Sequence, residues 1–227
     1  MKLERDGAQL FERALDEGPL RELEEALSAL PSDRPGVRIR DHFTLAPILA
    51  ADGPIGRVAA QYLGVGCRPV RTILFDKSEA TNWALGWHQD RTIAVTEKID
   101  VSGYGPWSLK AGIPHVEPPI EILQSMVTLR VHLDDVDANN APLLVAPGSH
   151  QLGRIPEPQI DAIVERRGTR ACLAKRGDAW AYSTLILHAS EAAHWPRRRR
   201  VLQVDCSAAT LPGGLRFHGD ALAVEMQ

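Results

Sequence analysis

The chain has 227 residues, 44% of them hydrophobic, which is enough apolar material to bury a sizeable core in one large domain or two small ones. Its 26 Lys and Arg residues nearly balance its 29 Asp and Glu residues, giving a formal charge of -3. This balance excludes a global basic field that would recruit nucleic acid or a membrane surface, so we expect a small molecule or another protein as the partner.

The first third of the chain predicts helices. Leucines recur with helical spacing from Leu20 to Leu30, and Gly18-Pro19 marks a helix start, so two short amphipathic helices are predicted between residues 10 and 30. A further helix is predicted from Ile55 to Leu63, between a turn-like Asp-Gly-Pro and a glycine. Residues 1–65 are therefore predicted to form a helical support.

From about residue 70 onward the pattern changes to that of many short strands. Runs rich in β-branched and aromatic residues alternate with Gly, Pro, Asn and Asp, and these runs are RTILF, WHQDRTIAV, MVTLRVHL, LLVAP, DAWAYSTLILH and RRVLQVDCS. Such a pattern is typical of an antiparallel sandwich or barrel. One helix is predicted from Glu157 to Arg166, and the polar loop Ile99 to Pro119 is expected to be a lid or binding loop.

Within the second run, a histidine and an aspartate lie two residues apart. His88 and Asp90 point to the same side if this run is extended, because side chains alternate along a strand, and Gln89 then points to the other side. His188 is the best third ligand, at the end of the predicted strand that begins near Asp178. Two histidines and one carboxylate form the facial triad of non-haem iron(II) oxygenases, which leaves coordination positions open.

A run of four arginines, Arg197 to Arg200, opens the last predicted strand, about one hairpin beyond His188. A keto acid that chelates the metal through two of the open positions has a second carboxylate at its far end. That carboxylate needs a cationic anchor, for which arginine is suited because it can bind both oxygens. One inward-facing arginine of the four is enough.

Four motifs taken together resemble the phytanoyl-CoA dioxygenase family. They are Trp87-His88-Gln89-Asp90, Leu133-Asp134-Asp135, the stretch from Asn140-Ala141-Pro142-Leu143 to Pro147-Gly148-Ser149-His150, and His188-Ala189-Ser190 with the arginine strand. The resemblance covers roughly residues 70–208, and its specificity lies in the order and spacing of the motifs. The chain departs from the family where Ala141 stands in place of the usual glycine.

The family consists of iron(II)- and 2-oxoglutarate-dependent oxygenases on a double-stranded β-helix. The resemblance implies His88, Asp90 and His188 as the iron ligands and Arg199 as the residue that holds the distal carboxylate of 2-oxoglutarate. It also implies dioxygen as a co-substrate. Arg198 and Arg200 are the alternatives to Arg199, since a slip of one residue exchanges the faces of a strand. Trp107 matches a family tryptophan near the co-substrate.

These inferences predict a mainly β (α+β) fold, a cupin-like jelly roll with flanking N-terminal helices, in a single oxygenase domain. Residues 66–210 form the predicted double-stranded β-helix core and residues 211–227 a C-terminal segment. The predicted activity is hydroxylation of a small polar or anionic molecule, with release of succinate and CO2. The sequence does not fix the substrate or the oligomeric state.

Further polar residues are candidates for a substrate cradle. Arg130 and His132 share one face of the run MVTLRVHL with Thr128, and this face is either a pocket wall or a solvent-facing sheet surface. Arg91, just past the predicted iron ligands, and His115, in the long loop, complete the cradle. If these residues line a pocket, the substrate carries a carboxylate or another anionic or hydrogen-bonding group.

Some alternatives remain open at the level of sequence. His150 is a rival third ligand and His194 could turn toward the pocket, although each is better explained as a turn residue. A cupin-like metalloenzyme that does not use 2-oxoglutarate is one rival function, and a non-catalytic β-helix protein that binds a small anion is another. The three cysteines are scattered without a CxxC pair, and no signal peptide or apolar membrane span is evident, so a cytoplasmic location is expected.

Overall fold

Thirteen strands form three antiparallel sheets in the computed structural model of the chain, which describes residues 1–31, 34, 36–39 and 43–222. The predicted segment 211–227 is therefore described only as far as residue 222. The strands are β1 (Ala8–Phe11), β2 (Gly36–Ile39), β3 (Arg68–Lys77), β4 (Leu85–His88), β5 (Ile93–Ala94), β6 (Trp107–Lys110), β7 (Ile113–Val116), β8 (Met126–His132), β9 (Leu143–Val145), β10 (Arg170–Cys172), β11 (Ala179–Ser183), β12 (His188–Ser190) and β13 (Arg199–Ser207).

The large sheet has six strands in the order β1, β11, β8, β13, β3, β2, and a second sheet has four in the order β10, β9, β12, β4. Strands β5, β7 and β6 form a third, smaller sheet. Side chains of β9 and β10 pack against those of β1 and β11 in one buried cluster, so the inner faces of the two larger sheets meet. The predicted jelly roll is confirmed.

Six helices accompany the sheets in the described part of the chain, together with short 3-10 turns at Phe43–Leu45, Ser149–Leu152, Glu157–Gln159 and His218–Leu222. The helices are α1 (Leu3–Asp6), α2 (Glu17–Leu27), α3 (Ala46–Leu49), α4 (Gly56–Leu63), α5 (Ile120–Gln124) and α6 (Ile160–Arg167). Within these described residues, every helix is too short or too polar to cross a bilayer. The predictions for α4 and α6 are confirmed to within a few residues.

The N-terminal helices cover the outer face of the large sheet. Leu20, Leu23 and Leu27 of α2 pack in one buried cluster with residues of α4 and with alternate residues of β8 and β13, such as Leu129 and Leu202. The outer face of the sheet is therefore apolar and buried under the helices. The polar residues that alternate with these apolar ones point inward, between the sheets. This division places charged side chains inside the jelly roll.

The structure corrects the predicted N-terminal helices and the predicted long loop Ile99 to Pro119. One helix, α2, lies between residues 10 and 30 instead of two, because residues 8–11 pair as strand β1 with β11. Sheet pairing satisfies the backbone groups of this segment, which a short isolated helix would leave exposed at its ends. The loop from Ile99 to Pro119 contains the hairpin of β6 and β7, joined at Ala111-Gly112.

The predicted long strand ending in His188 is also wrong. The chain leaves the large sheet after Ser183, crosses between the sheets, and enters the second sheet at His188, which is the first residue of β12. The arginine strand β13 pairs with β3 and β8 and does not pair with β12. Residues 8–11 and 36–39, within the predicted helical support, supply the two edge strands of the large sheet.

Candidate metal centre and its cavity

The structure brings the three predicted iron ligands together. His88 ends β4, His188 begins β12, and these two residues are direct cross-strand partners whose ring centroids lie 4.3 Å apart. Asp90 lies just beyond the end of β4. One potential ligand atom from each of the three residues lies within 4.8 Å of the others, so the group could hold a metal ion. Two imidazoles and one carboxylate on one side of an ion suit iron(II).

Backbone carbonyls fix the tautomer of both histidines. The Nδ1 atom of His88 lies 2.7 Å from the carbonyl oxygen of Gly86, and that of His188 lies 3.0 Å from the carbonyl oxygen of Ile186. Because a carbonyl can only accept, each Nδ1 carries the proton and each Nε2 keeps its lone pair for a metal. Burial lowers the pKa of His188 to about 4, so this imidazole is neutral near neutral pH.

An arginine that the sequence did not single out orients the carboxylate of Asp90. Nη2 of Arg71 donates to Oδ2 of Asp90 at 3.1 Å, while its Nε donates to Oδ2 of Asp205 at 2.5 Å. Burial would raise the pKa of Asp90, but Arg71, His188 and His88 outweigh it and lower that pKa to about 2. Asp90 is therefore ionised at neutral pH, with one oxygen held by Arg71.

Gln89 points away from the metal group, as the predicted alternation requires. Its Nε2 donates to the carbonyl oxygens of Gly153 at 2.9 Å and Leu185 at 2.7 Å, and its Oε1 accepts from the backbone N–H of Ile155 at 2.9 Å. Gln89 is 5% exposed. Three hydrogen bonds on this buried amide anchor the segment between His88 and Asp90. Asp90 lies beyond the end of β4, so this anchor helps to fix its position.

The metal group opens into a cavity of about 250 Å³ between the sheets. Its wall combines apolar and aromatic side chains with cations, and all three members of the metal group lie on it. The residues that line it include Arg38, Arg71, Phe75, Trp83, His88, Asp90, Lys110, Arg130, His188, Arg199 and Gln203. This volume lies below the ~300–1,000 Å³ typical of pockets for drug-sized ligands, which favours small ligands.

Arg199 lies on the wall of this cavity and has no carboxylate partner within the described residues. It is 2% exposed, its Nη1 donates to the carbonyl oxygen of Ala141 at 2.5 Å, and its Nε is buried without a partner. Burial, followed by the nearby charge of Arg130, lowers the pKa of Arg199 to about 9. A guanidinium with so little compensation inside a protein is suited to bind an anion.

The two neighbouring arginines point the other way and are already paired. Arg198 donates to Asp76, with Nη2 2.9 Å from Oδ2, and Arg200 binds both Asp134 and Glu24. Neither lies on the cavity wall. Of the three candidates for the co-substrate anchor, Arg199 alone is placed in the cavity.

Ala141, where the family usually has glycine, adopts a left-handed backbone conformation with φ of 50°. Glycine is favoured at such positions because a Cβ atom is strained there. The turn keeps this conformation in spite of the alanine, and it directs the Ala141 carbonyl oxygen at Arg199. An alanine at this position is therefore compatible with the contact that positions the arginine.

Of the predicted substrate residues, some lie on the cavity wall and others do not. Arg130 lies on the cavity wall, where its Nη1 donates to Oε1 of Gln203 and its Nε is buried without a partner. His132 and His115 are both buried, at 2% and 0% exposure, but neither lies on the cavity wall. The polar face of β8 is thus an inner surface, not a solvent-facing one.

Two more predicted residues lie away from the cavity. Arg91 donates from Nη2 to the carbonyl oxygen of Ile155 at 2.5 Å, on the side to which Gln89 points. Trp107 packs at the edge of a separate apolar cluster, with the amine of Lys98 5.8 Å from its ring centroid. Neither belongs to the cavity wall formed by the described residues, so the structure does not bring them to the metal group.

The two alternative histidines, His150 and His194, also lie away from the metal group. His150 is in the 3-10 turn Ser149–Leu152, with Nε2 3.3 Å from the carbonyl oxygen of Glu4, and His194 is exposed in the loop before β13. The described histidines other than His88 and His188 do not join Asp90 in a metal-binding group. His188 remains the third member of the group.

Comparison with known proteins agrees with this geometry. The family model for phytanoyl-CoA dioxygenase matches residues 3–201, and the chain belongs to this family. A search of curated proteins finds no significant match.

Several solved structures have the same fold. An iron-bound form of EctD from S. alaskensis is 19% identical, with a TM-score of 0.66 over 90% of this chain and 74% of that one. The 2-oxoglutarate-dependent epimerase SnoN from nogalamycin biosynthesis is 18% identical, with a TM-score of 0.61 over 93% and 87%. HygX from Streptomyces hygroscopicus, solved with nickel, 2-oxoglutarate and hygromycin B, is 13% identical, with a TM-score of 0.60 over 90% and 84%. At these identities the similarity establishes the fold.

Proposed function

We propose that this member of the phytanoyl-CoA dioxygenase family is an iron(II)- and 2-oxoglutarate-dependent oxygenase that hydroxylates a small polar or anionic molecule. One observation carries the proposal: the His88, Asp90 and His188 group and the unpaired guanidinium of Arg199 open into the same small cavity. A metal-binding triad and a buried anion anchor on one cavity wall are what a chelating keto acid requires.

Each residue has a role in this proposal. His88 and His188 offer their Nε2 lone pairs to iron, because their Nδ1 protons are engaged by backbone carbonyls. Asp90 offers the carboxylate oxygen that Arg71 leaves free. Bound iron(II), with 2-oxoglutarate and dioxygen, supplies a strong oxidant for a C–H bond as the keto acid loses CO2 and becomes succinate.

Arg199 holds the distal carboxylate of 2-oxoglutarate in this proposal. Its position is set by the Ala141 carbonyl, and its side chain is 2% exposed, so little water competes for it. Arg130 lies on the same wall and adds a second positive charge near this end of the cavity. We further propose that the chain acts as one oxygenase domain, in the cytoplasm, where its three buried free cysteines would stay reduced.

Turnover of 2-oxoglutarate tests the assignment. Purified protein with iron(II) and dioxygen is expected to convert 2-oxoglutarate to succinate, and His188→Ala is expected to abolish this turnover because the triad loses one ligand. His150→Ala is the matched control, since His150 lies outside the metal group. Retained turnover in His188→Ala would refute the ligand assignment.

The reaction outcome needs a separate measurement, because solved structures with this fold include an epimerase and a carbocyclase. Hydroxylation transfers one atom of dioxygen to the product. Incorporation of label from 18O2 into a product of a screened small acid is therefore expected, and a product with no label would contradict hydroxylation while leaving the oxygenase assignment intact.

A further inference from the structure

The cavity contains more positive charge than the proposed cofactor and co-substrate require. Five cationic side chains lie on its wall, and one carboxylate, that of Asp90, lies there with them; the cations are Arg38, Arg71, Lys110, Arg130 and Arg199. Iron(II) would add two positive charges, and 2-oxoglutarate would remove two. The excess of cations therefore persists in the fully loaded site.

One of the five cations already has anionic partners, and the proposed function assigns an anion to a second. Arg71 is held between Asp90 and Asp205, and Arg199 is taken by 2-oxoglutarate under the proposed function. Arg38, Lys110 and Arg130 have no carboxylate within ion-pair distance among the residues that the structure describes. The amine of Lys110 donates only to Oγ1 of Thr92, at 3.1 Å.

The three unpaired cations lie on two sides of the cavity. Arg38 on β2 and Arg130 on β8 occupy one transverse row of the large sheet, in which Ile73 and Gln203 stand between them. Three strand spacings separate their backbones, about 14 Å. Arg130 shares its side with Arg199, whose pKa it lowers.

Lys110 belongs to the side of Arg38. The amine of Lys110 donates to Oγ1 of Thr92, two residues beyond Asp90, and Lys110, Asp90 and Arg38 all lie on the cavity wall. The charge of Arg38 is near enough to help lower the pKa of Lys110. Lys110 comes from the small sheet and Arg38 from the edge of the large sheet, so two separate elements bring cations to the Asp90 side. The sequence predicted a binding loop at residues 99–119, but it singled out neither Lys110 nor the segment that contains Arg38.

Desolvation distinguishes this arrangement from an ordinary solvated patch of charge. The Nε atom of Arg38 is buried without a hydrogen-bond partner, and burial is the largest effect that lowers the pKa of both Arg38 and Lys110. Like charges held close together in a partly buried wall are unfavourable unless an anion binds between them. Cations with perturbed pKa values that line a cavity are candidates for a binding site.

We propose that Arg38 and Lys110 form a second anion subsite, which holds a carboxylate or phosphate group of the prime substrate on the Asp90 side of the metal. The subsite rests on the proposed function, because that function assigns Arg199 to the co-substrate on the other side. The prime substrate is then a small organic anion, fixed at its charged end so that a neighbouring C–H bond faces the metal. The two anions enter one cavity without sharing a cation.

Calorimetric titration with two simple probes tests this subsite. Acetate stands for the carboxylate and methylphosphonate for the phosphate, each titrated without oxygen into protein already loaded with iron(II) and 2-oxoglutarate. At least one probe is expected to bind at one site per chain, and the double variant Arg38→Gln/Lys110→Gln is expected to weaken it about tenfold or more, because hydrogen bonds to charged groups are lost. The probe that binds identifies the anionic group.

The matched control is Lys175→Gln/Arg176→Gln, which removes the same charge from an exposed cluster with Asp135, Glu17 and Glu24. It is expected to keep probe affinity. Equal affinity in the Arg38 and Lys110 variant, or no probe binding in protein that does bind iron and 2-oxoglutarate, would overturn the subsite alone. Failure to bind iron and 2-oxoglutarate in the first place would overturn the proposed function, and the subsite with it.

Discussion

Replacing Arg199 with methionine is expected to stabilise the ligand-free protein while it destroys the co-substrate site. The change removes a buried cation that lacks a counter-ion and leaves an apolar side chain of similar length in its place. The opposite effects on stability and binding follow from one cause, because an unpaired buried charge is unfavourable until its anion binds.

The magnitude follows from the burial of the guanidinium. At about 1.4 kcal/mol per pH unit, the fall in the pKa of Arg199 from 12.5 to about 9 corresponds to roughly 4–5 kcal/mol of unfavourable burial. Loss of the hydrogen bond to Ala141 and imperfect packing of methionine offset roughly 2 kcal/mol of this. We expect a net gain of about 2–3 kcal/mol in the free energy of unfolding.

Binding changes in the other direction. Removing one partner of a buried, hydrogen-bonded charge pair costs about 2–4 kcal/mol, so the Kd for 2-oxoglutarate is expected to rise roughly 30- to 1,000-fold. Urea unfolding of metal-free protein measures the first effect. Anaerobic calorimetry of 2-oxoglutarate binding to iron(II)-loaded protein measures the second.

Arg198→Met is the matched control, one residue earlier and pointing out of the cavity. It leaves the buried carboxylate of Asp76 without its partner, so its stability is expected to fall by about 1–3 kcal/mol and its 2-oxoglutarate affinity to stay unchanged. If Arg199→Met unfolded more easily than the wild type and bound 2-oxoglutarate equally well, the argument from an unpaired anion anchor would be refuted.

Three further predictions concern stability. Gln89→Met removes three buried hydrogen bonds and is expected to lower the urea unfolding free energy by about 2–3 kcal/mol; no loss would contradict the anchoring role. Ala141→Gly relieves a left-handed backbone and is expected to raise stability by up to about 1 kcal/mol, and a clear loss in the same assay would mean that no strain is stored there. Burial lowers the pKa of His132 from 6.5 to about 3. Below pH 6.5 the unfolded chain therefore takes up a proton that the folded chain does not, and stability decreases as the pH decreases. His132→Gln is expected to reduce the loss between pH 7 and 5 by about 2 kcal/mol, whereas an unchanged pH profile would exclude His132 as its source.

The metal group could be predicted from sequence because two of its three residues lie close together in the chain and motif spacing supplied the third. His88 and Asp90 are two residues apart, and the resemblance supplied His188 and Arg199 through the order and spacing of the motifs. The structure brings all four to one cavity. The reason for His188, however, was wrong, since it begins a strand of the second sheet and does not end one of the large sheet.

The inward face of β13 could not be read from its pattern. Val201 and Leu202 are both 0% exposed, because one points into the jelly roll and the other lies under the N-terminal helices. Alternation of polar and apolar residues identifies a face only when the other face meets water. The partners of Arg198 and Arg200 in other elements settle the register, and they are distant in sequence.

Arg38, Arg71 and Lys110 were missed for a related reason. Each comes from a different strand, and only long-range pairing of β2, β3 and the small sheet brings them to the wall. Arg71 stands in the run RTILF, where its spacing from the apolar residues gave no sign of a partner such as Asp205. Arg71 is the fourth of the ten residues of β3, so its position in the strand gave no sign either.

The central claim is that iron(II) and 2-oxoglutarate occupy this cavity together, and an anaerobic titration tests it most directly. Metal-free protein receives iron(II) and then 2-oxoglutarate while visible absorption is recorded. A new band that needs both additions, is absent in His88→Ala and is weakened in Arg199→Met is the predicted result. Iron binding without any band would contradict the use of 2-oxoglutarate and favour a metalloenzyme of another kind, and no iron binding would contradict the metal centre itself.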